Sequence, residues 1–453
     1  MKVLVLGLGT NGGGRAAALH FAHDPHTQVR VSDMAPRSSF GDVPDELERL
    51  GVQCHFAQSD PKDDIKWADV VIKNPAVPTS MPQLSLAKRI ANDFSYLFSM
   101  DWIDRMHLVA VTGTKGKTTT VAAIQHGLQE MGSEALICGN IGISAFTVIE
   151  EIERRIADGR PLPQYIVMEM SSWQIHDTYV ALNGVMPHMD LAIFTSKYAD
   201  HQNSYHNLRE YYDDKLKLFG PHCRMILVNS RNRDFLLDHT YGLKRLVHVF
   251  PGYGNPFRQT KMELQCAFVA LRLLGFSKRQ VATALSTYKG MPHRIEQVAL
   301  YKDIMFVNDS AATIAEAVTF SMKNIAPLST HLICGGTDKD LKATGMEEAL
   351  TMATSITFLD GSFTRTRLLP LIESLGLEYE GPFSTMKEAF DVAVRKAEAK
   401  REEFNQVQCV LLSPGAASFE LFRNEFDRGN QFKALVKTYV AKKSGQRRFP
   451  LSD

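Results

Sequence analysis

The stretch Leu108–Val121 reads LVAVTGTKGKTTTV, and it decides the fold of the region around it. Its first residues are apolar and predict a buried strand, Gly113 and Gly116 predict a turn, and a helical pattern follows. A glycine-rich turn between a strand and a helix N-terminus suits phosphate, because backbone N–H groups and the helix dipole both favour an anion. Lys117 is placed to neutralise β- and γ-phosphates, and the Thr118 hydroxyl to ligate Mg²⁺. The stretch predicts a nucleoside triphosphate site; the alternative is an ordinary Gly/Thr turn.

Length and composition limit the class of protein. The chain has 453 residues, which favours three domains of ~150 residues each. Hydrophobic residues make up 44% and charged residues 22%, as in an ordinary globular protein with a core. The net charge of +1 indicates no nucleic-acid partner. Six cysteines are scattered singly, which favours reduced thiols in a cytoplasmic enzyme over a disulfide framework.

The sequence also bears on membrane attachment. The opening MKVLVLGLGT has an apolar run broken by glycines, which predicts a strand rather than a signal peptide. No run of ~18 apolar residues occurs, so we expect no membrane insertion. We further expect a monomer.

The first predicted domain covers residues 1–105. Its opening strand, Val3–Leu6, leads into GLGTNG at residues 7–12 and then a helix at Ala16–Phe21. A second strand, Val29–Val31, is followed by Asp33. This pattern is typical of dinucleotide binding, with the glycines and helix N-terminus holding a pyrophosphate and the carboxylate holding a ribose. The alternative is a structural turn.

A third apolar run, Val70–Ile72, leads into a loop with two prolines, Lys73–Pro78. Loops at the carboxyl ends of strands in an open α/β sheet line the ligand crevice. We therefore expect this loop to contact the same ligand as the glycines; the alternative is a surface turn.

The middle domain is predicted at residues 106–292. The strand Tyr165–Met170 carries Glu169 near its end, where a carboxylate is costly to bury unless it is paired or binds a metal. Beside a phosphate loop, this residue indicates a Mg²⁺ ligand. His201 follows another strand, Leu191–Phe194, and is either a second metal ligand or a plain surface residue.

A helix is predicted over Tyr211–Phe219 in the same domain. It carries Lys215 and Lys217 among apolar neighbours. From the residues alone, both lysines are expected on a solvated face.

The last domain is predicted at residues 293–453, after a proline-containing joint. Strands alternate with helices, which predicts a third α/β unit with a parallel sheet. Its loops Asp309–Thr313, Gly335–Lys339 and Ser413–Phe419 are polar and rich in small residues, as binding loops are. The fold class is therefore α/β: a Rossmann-like N-terminal domain, a central P-loop ATPase-type domain with a mostly parallel sheet, and a Rossmann-like C-terminal domain.

Taken together, these motifs resemble those of the Mur ligases, the ATP-dependent amide-forming enzymes of peptidoglycan precursor synthesis. The resemblance covers nearly the whole chain and rests on TGTKGKTTT (112–120), GNIG (139–142), EMSSWQ (169–174), DH (200–201), DDKLKLF (213–219), HR (293–294), NDS (308–310) and SPGAASF…FRNEFDRG (413–429). The first domain and the last motif look most like the branch that adds D-glutamate to UDP-N-acetylmuramoyl-L-alanine. In that branch the first domain binds UDP rather than NAD.

The resemblance implies a role for each matching residue. The ATP-binding set is Gly113, Thr114, Lys115, Gly116, Lys117, Thr118, Thr119, Arg294 and Asp309. The set for the UDP substrate is Gly9, Thr10, Asn11, Gly12, Asp33, Asn74, Ala76 and Asn140, the last of which contacts the muramoyl group or the water shell of the metal. The glutamate set is Lys339, Ser418 and Phe419, and Lys339 also reaches the nucleotide phosphates with Arg294. Two Mg²⁺ ions are held by Thr118, Glu169, His201 and Lys215, the last if carbamylated, and Lys117, Glu169, His201 and Lys215 form the catalytic set.

The implied reaction is that of an acid–amino-acid ligase. The carboxylate of UDP-N-acetylmuramoyl-L-alanine takes the γ-phosphoryl group of ATP, and the amine of glutamate then displaces phosphate. The chain departs from the family at three places: Ala311 stands where a lysine is frequent, Gln259–Glu263 replaces an HNxxN stretch, and Thr337 replaces an aspartate. The alternatives are ligation of L-glutamate, another Mur-type or folylpolyglutamate-type ligase, a nicotinamide-dependent dehydrogenase, and a non-catalytic ATP-binding switch.

Overall fold

The computed structural model describes residues 1–9, 12–140, 142–197, 207–240, 242–250, 262–338 and 345–444. The chain divides into two compact units, Met1–Tyr288 and Lys289–Asp453. In both units strands alternate with helices and pair mostly in parallel. The predicted α/β class with mostly parallel sheets is confirmed.

The first unit opens with a sheet whose strands run in the order β3-β2-β1-β4-β5. Its elements are β1 (Lys2–Leu6), α1 (Gly13–Ala22), β2 (Gln28–Ser32), α2 (Val43–Arg49), β3 (Gln53–His55), α3 (Lys62–Trp67), β4 (Val70–Lys73), β5 (Ile90–Ala91) and α4 (Asp93–Leu97). The chain winds one way from β1 to β3 and the other way from β4 to β5. The switch point between β1 and β4 opens a crevice at their carboxyl ends, where such sheets bind ligands.

A second parallel sheet in the same unit has the order β11-β10-β9-β6-β8-β7. Its elements are β6 (His107–Thr112), α5 (Lys117–Glu130), β7 (Ala135–Gly139), α6 (Ala145–Ala157), β8 (Tyr165–Glu169), α7 (Ser172–Ala181), β9 (Leu191–Phe194), α8 (Leu208–Leu216), β10 (Ile226–Asn229), α9 (Arg233–His239), β11 (Val247–Phe250), α10 (Met262–Leu273) and α11 (Lys278–Ser286). The strand β6 lies between β8 and β9. The loop after β6 is therefore flanked by the ends of two further strands.

One hydrophobic core joins the two sheets of the first unit. It contains buried side chains from Val3 in β1 through Leu236 in α9. Within it the ring of Phe146 on α6 lies 5.6 Å from that of Phe21 on α1, and the partly buried ring of Tyr96 on α4 packs 5.2 Å from that of Phe146. Two of the three predicted domains thus share a core, while the predicted boundaries at residues 105 and 292 stay predictions.

The second unit contains a sheet with the strand order β12-β13-β17-β14-β15-β16. Its elements are β12 (Glu296–Tyr301), β13 (Ile304–Asn308), α12 (Ala315–Ile325), β14 (Ser329–Cys334), α13 (Met346–Met352), β15 (Ser355–Leu359), α14 (Leu369–Leu375), β16 (Glu380–Phe383), α15 (Met386–Phe404), β17 (Gln408–Leu412) and α16 (Glu425–Lys443). Short 3-10 helices lie at Arg37–Phe40, Pro82–Leu86, Ile103–Arg105, Ser230–Asn232 and Lys244–Leu246, and a π-helical turn at Thr364–Leu368.

The prediction of a parallel sheet in this unit is wrong for its first strand. The strand β12 pairs with β13 in the antiparallel sense. The two strands are joined by Lys302 and Asp303, which both have positive φ angles, 46° and 60°. Two such residues in a row make the tight turn of a β-hairpin, which forces antiparallel pairing.

Two smaller features of the fold concern helices. The predicted helix Tyr211–Phe219 is wrong at its C-terminal end: α8 ends at Leu216, three residues earlier. Among the helices within the described ranges, none combines the length and the apolar character needed to cross a bilayer.

Candidate active site

The predicted phosphate-binding turn lies between β6 and α5, with Gly116 as the N-cap of the helix and Lys117 as its first residue. The Nζ atom of Lys117 donates hydrogen bonds of 3.1 Å to the carbonyl oxygens of Gly113 and Thr114. The ammonium group is thereby held over the turn, close to the helix N-terminus. A helix N-terminus and an ammonium group together suit an anionic phosphate chain.

The two residues after β9 hold this turn in place. The backbone N–H of Thr114 donates to the carbonyl oxygen of Ser196 (2.9 Å), and that of Lys115 donates to its hydroxyl (2.8 Å). A Cβ atom on Gly113 would lie 2.2 Å from Oγ1 of Thr195, so only glycine fits there. Neither Thr195 nor Ser196 is among the residues predicted from the sequence. The available signal was their position directly after the predicted strand Leu191–Phe194; that this strand pairs with β6 came only from the structure.

Glu169 and Asn140, both predicted site residues, lie together beside the turn. Glu169 ends β8 opposite Val111 of β6 and is 1% exposed. The side-chain amide of Asn140 donates a 3.0 Å hydrogen bond to Oε1 of Glu169. The other oxygen, Oε2, is buried and has no hydrogen-bond partner among the described residues.

This unpartnered oxygen tests whether the site fits Mg²⁺. A buried carboxylate oxygen without a donor is costly, and a cation would compensate it. Thr118, in the first turn of α5, is half-buried. Within the described ranges no group of three or more His, Cys, Asp or Glu side chains is placed to hold a metal. Mg²⁺ usually keeps water and phosphate oxygens besides one or two protein carboxylates, so these residues fit Mg²⁺ bound with a nucleotide.

The two lysines of the predicted helix Tyr211–Phe219 correct the prediction of a solvated face. Lys215, on α8, is buried at 2% exposure, with Nζ 4.4 Å from the ring centroid of Tyr211. Lys217, just after α8, is partly covered, and its Nζ donates to Oδ1 of Asp214 at 2.5 Å. The lysines turn inward because α8 packs against α7, whose His176 also bonds Asp214 at 2.7 Å.

Several predicted residues lie outside the described ranges. They are Thr10, Asn11, His201 and Lys339, together with residues 259–261 of the stretch that replaces HNxxN. Their roles stay predictions.

The glycine loop after β1 is bound by two other predicted residues. Oδ2 of Asp33 accepts the backbone N–H groups of Leu8 (2.7 Å) and Gly9 (3.2 Å). Asn74 packs on the other side of the loop, where a Cβ on Gly9 would lie 2.9 Å from its Nδ2. Oδ1 of Asn74 accepts from the N–H of Ala76 at 3.0 Å. The structure thus brings the loops after β1, β2 and β4 together at the switch point, and their contact with a nucleotide stays a prediction.

In the second unit, Asp309 is buried and engaged by protein donors. Its Oδ2 accepts from the hydroxyls of Ser321 (2.5 Å) and Ser413 (2.8 Å), and its Oδ1 from the N–H of Ile295 (3.1 Å). Burial raises the pKa of this carboxyl. Asp309 therefore fixes the loop after β13. Arg294, the residue before Ile295, is exposed.

Arg428, which is not among the residues predicted from the sequence, joins two of the predicted binding loops. Its guanidinium is fully buried and donates to the hydroxyl of Ser310 (3.0 Å), to the carbonyl of Ser310 (2.8 Å) and to that of Ala416 (3.1 Å). Burial lowers its pKa to about 9. The loops after β13 and β17 are thus held by one side chain. Ser418 in the second of these loops is buried, and Phe419 is 53% exposed.

Known proteins similar to this chain agree with the resemblance found in the motifs. The Mur ligase middle domain family matches residues 111–255. The UDP-N-acetylmuramoylalanine–D-glutamate ligase of Borreliella afzelii is 30% identical over 96% of this chain and 97% of its own length. The enzyme of the same name from Treponema pallidum is 28% identical over 96% of this chain and 97% of its own length.

Solved structures agree with the fold. The UDP-N-acetylmuramate–alanine ligase of Thermotoga maritima superposes with a TM-score of 0.57 at 18% identity, covering 97% of this chain and 100% of that one. A UDP-N-acetylmuramoyl-L-alanyl-D-glutamate–2,6-diaminopimelate ligase gives 0.53 at 15% identity, covering 92% and 94%. At these identities the two structures establish the fold alone. The 30% identity to the Borreliella enzyme over nearly the whole of both chains goes further, and this protein belongs to the Mur ligase family.

Proposed function

We propose that this protein is an ATP-dependent ligase that joins D-glutamate to UDP-N-acetylmuramoyl-L-alanine, releasing ADP and phosphate, in the cytoplasmic assembly of peptidoglycan precursors. The names of the Borreliella and Treponema relatives, matched over almost their full length, support this substrate pair. The structural observation that carries the proposal is the phosphate turn with Glu169 at its side, whose Oε2 atom has no donor among the described residues. A buried carboxylate oxygen without a hydrogen-bond donor, beside a proposed triphosphate site, suits a bound cation.

The phosphate turn would hold the triphosphate. The carbonyl oxygens that accept from Lys117 at 3.1 Å lie within the turn, so its ammonium group would face the β- and γ-phosphates of a nucleotide held there. Bound Mg²⁺ would supply positive charge that offsets the charge of the phosphates during transfer. Thr118 and Glu169 would ligate one ion, and His201 with carbamylated Lys215 the second.

The chemistry has two steps. A carboxylate oxygen of the UDP-linked substrate forms a bond to the γ-phosphorus as the bond to ADP breaks, which gives an acyl phosphate. The neutral amine of glutamate then attacks the acyl carbon, loses a proton, and phosphate leaves with the electrons of the C–O bond. Catalysis would come from positioning and charge neutralisation by Lys117 and the turn, as in phosphoryl transfer generally.

The other substrates have proposed positions in both units. The loops after β1 and β4, with Gly9 and Asn74, would bind the UDP group. Ser418, Phe419 and Lys339 would bind glutamate, and Arg294 and Asp309 the nucleotide. Because Ala311 stands where the family often has a lysine, the assay below offers L-glutamate as well as D-glutamate.

The deciding experiment is an ATP-dependent coupling assay with UDP-N-acetylmuramoyl-L-alanine and D-glutamate, L-glutamate or D-aspartate in separate reactions. ADP release and the mass of the UDP-linked product are both measured. We expect product with D-glutamate only, and only when ATP and Mg²⁺ are present. Product with L-glutamate alone would correct the substrate, and an inactive protein with every amino acid would refute the proposed function.

A further inference from the structure

The helix α7 is bound to its neighbours on two sides by adjacent residues. Oδ2 of Asp177 lies 2.6 Å from Nζ of Lys73, the last residue of β4. Nδ1 of His176 lies 2.7 Å from Oδ1 of Asp214 on α8, the residue before Lys215. One helix therefore connects the end of β4 in the first sheet to the helix that carries a proposed metal ligand.

The start of α7 fixes the helix beside Glu169. The hydroxyl of its N-cap, Ser171, accepts from the N–H of Gln174 (3.2 Å), and the Gln174 side chain accepts from the N–H of Ser171 (3.1 Å). Met170, between Glu169 and the cap, donates its N–H to the carbonyl oxygen of Val111 in β6. The start of α7 is thus anchored at the edge of the sheet where the phosphate turn lies. A shift of α7 would therefore move both Glu169 and the neighbouring end of β6.

The ion pair between Lys73 and Asp177 is buried from solvent. The side chains are 3% and 6% exposed, and Oδ1 of Asp177 also accepts from the hydroxyl of Thr79 at 3.2 Å. Desolvation of two charges offsets much of their attraction, so a buried pair of this kind adds little net stability compared with apolar residues of similar volume. Its geometry is nevertheless strict, because either charge left alone in this environment is costly.

Lys73 also begins the loop proposed to bind UDP. It pairs in register with Leu6 of β1, the residue before the glycine loop, and its neighbour Asn74 packs against Gly9. A change in the position of Lys73 is therefore transmitted through one peptide bond to the proposed UDP site.

We propose that Lys73 and Asp177 form a positioning pair for the UDP-linked substrate: they fix the loop after β4 relative to α7 and hence to the phosphate turn and Glu169. Neither side chain touches the reacting atoms. The pair sets where the substrate carboxylate stands with respect to the γ-phosphate. This inference rests on the proposed function, since it takes the loop after β4 as the UDP site.

The test is the double variant Lys73→Met/Asp177→Asn in the full-length protein. It removes both charges, so no buried charge is left without its partner, and the asparagine side chain keeps an acceptor for Thr79. We expect kcat/KM for UDP-N-acetylmuramoyl-L-alanine to fall by ~10-fold or more, as for residues that orient a ligand-binding group. The KM for ATP should stay within about twofold of wild type. Asp177→Glu, which keeps the charge pair, should retain more activity than Asp177→Asn.

A matched control is the double variant Arg30→Met/Asp64→Asn. This pair joins β2 to α3 at 3.2 Å, and its carboxylate is 3% exposed, but neither residue belongs to the sets predicted to bind a substrate. We expect a lower melting temperature with unchanged kinetic constants. A purely structural role for Lys73 and Asp177 would give the same pattern in their variant.

Calorimetric titration with UDP separates the two possible failures. If wild-type protein binds UDP but does not ligate, the proposed function is refuted and the positioning role is not. The positioning role is then decided by comparing the UDP dissociation constants of the double variant and of wild type. We expect UDP to bind ~10-fold more weakly to Lys73→Met/Asp177→Asn. The positioning role is overturned if both kcat/KM for the UDP-linked substrate, where measurable, and the UDP dissociation constant lie within about twofold of wild type.

Discussion

The amide of Asn140 donates a 3.0 Å hydrogen bond to one oxygen of Glu169 and leaves the other oxygen without a partner among the described residues. The hydrogen bond sets the orientation of the carboxylate, and the unpartnered oxygen makes it a candidate cation ligand. A charge buried in this way is destabilising until a cation arrives. We therefore expect a nucleotide bound with its cation to raise the stability of the protein.

The first prediction concerns this carboxylate. Glu169→Gln keeps an acceptor for Asn140 but removes the charge, so we expect Mg²⁺-dependent ligation to fall by ~100-fold or more. The melting temperature of the ligand-free variant should equal or exceed that of wild type, because an uncompensated buried charge is gone. ADP release over a MgCl₂ series and thermal unfolding measure the two effects. Glu130→Gln, an exposed change at the far end of α5, is the control, and Mg²⁺-dependent activity close to wild type in Glu169→Gln would contradict the assignment.

The second prediction concerns the ammonium group over the phosphate turn. Lys117→Ala removes the charge that we propose faces the phosphates and should lower ADP release by ~100-fold or more. The control Lys88→Ala changes a lysine that is 59% exposed and should behave as wild type. Phosphate release by Lys117→Ala at the wild-type rate would refute the phosphate-turn assignment.

The third prediction concerns the packing of the turn on β9. Gly113→Ala places a Cβ 2.2 Å from Oγ1 of Thr195, whereas at Gly132, which also has positive φ (79°), a Cβ meets no atom within 4 Å. Both variants bear a backbone cost of ~1 kcal/mol, and only the first has a steric clash. We expect Gly113→Ala to raise the KM for ATP and lower the melting temperature clearly more than Gly132→Ala. Equal effects would show that the contact with Thr195 is unimportant.

The fourth prediction concerns Lys215, which is 2% exposed. If it is carbamylated, the modified group supplies oxygen ligands that suit Mg²⁺. Lys215→Ala should then be inactive and regain part of its activity with added formate, acetate or propionate, which can fill the vacated space with a carboxylate. Lys217→Ala, a neighbour paired to Asp214, should show no such recovery. Absence of recovery in Lys215→Ala across the three acids would leave it a plain lysine.

The fifth prediction concerns pH and Asp93, at the start of α4. Burial is the main cause that raises the pKa of this carboxyl from 3.8 to about 6, and the hydrogen bond from the N–H of Phe94 opposes it. The folded protein binds the proton of Asp93 more tightly than the unfolded chain does. The contribution of protonated Asp93 to the free energy of unfolding is therefore fully present below about pH 4 and is lost as pH rises through about 6. Asp93→Asn should remove this pH dependence. The free energy of unfolding of the variant minus that of wild type should therefore be larger at pH 7 than at pH 4 by roughly 1–3 kcal/mol.

Urea-unfolding midpoints of both proteins between pH 4 and pH 7.5 measure the effect. The exposed change Asp63→Asn is the control and should leave the wild-type profile unaltered. Parallel profiles for wild type and Asp93→Asn would show that Asp93 does not titrate in this range.

Local sequence determined much of this protein. The apolar runs ending in glycine at β1 and β6 predict their strands and turns, because short β-branched segments and glycine act through nearest-neighbour sterics. The alternation of such runs with helical patterns is sufficient for the α/β class. The predicted roles of Gly116 and Lys117 follow from residue types at fixed spacing, since a phosphate turn is built from consecutive residues, and that of Glu169 follows from a carboxylate at the end of an apolar strand.

The tertiary structure alone decided which distant residues meet. Burial of Lys215 depends on the packing of α8 against α7, and the pairing of Lys73 with Asp177 joins positions 104 residues apart, so neither leaves a periodic signal in the sequence. The hairpin that reverses β12 depends on positive φ angles at both Lys302 and Asp303, and lysine, unlike aspartate, is not a residue type that marks such a turn. The sequence thus carries the parts of the site that neighbouring residues build, and packing between elements supplies the contacts that hold them in place.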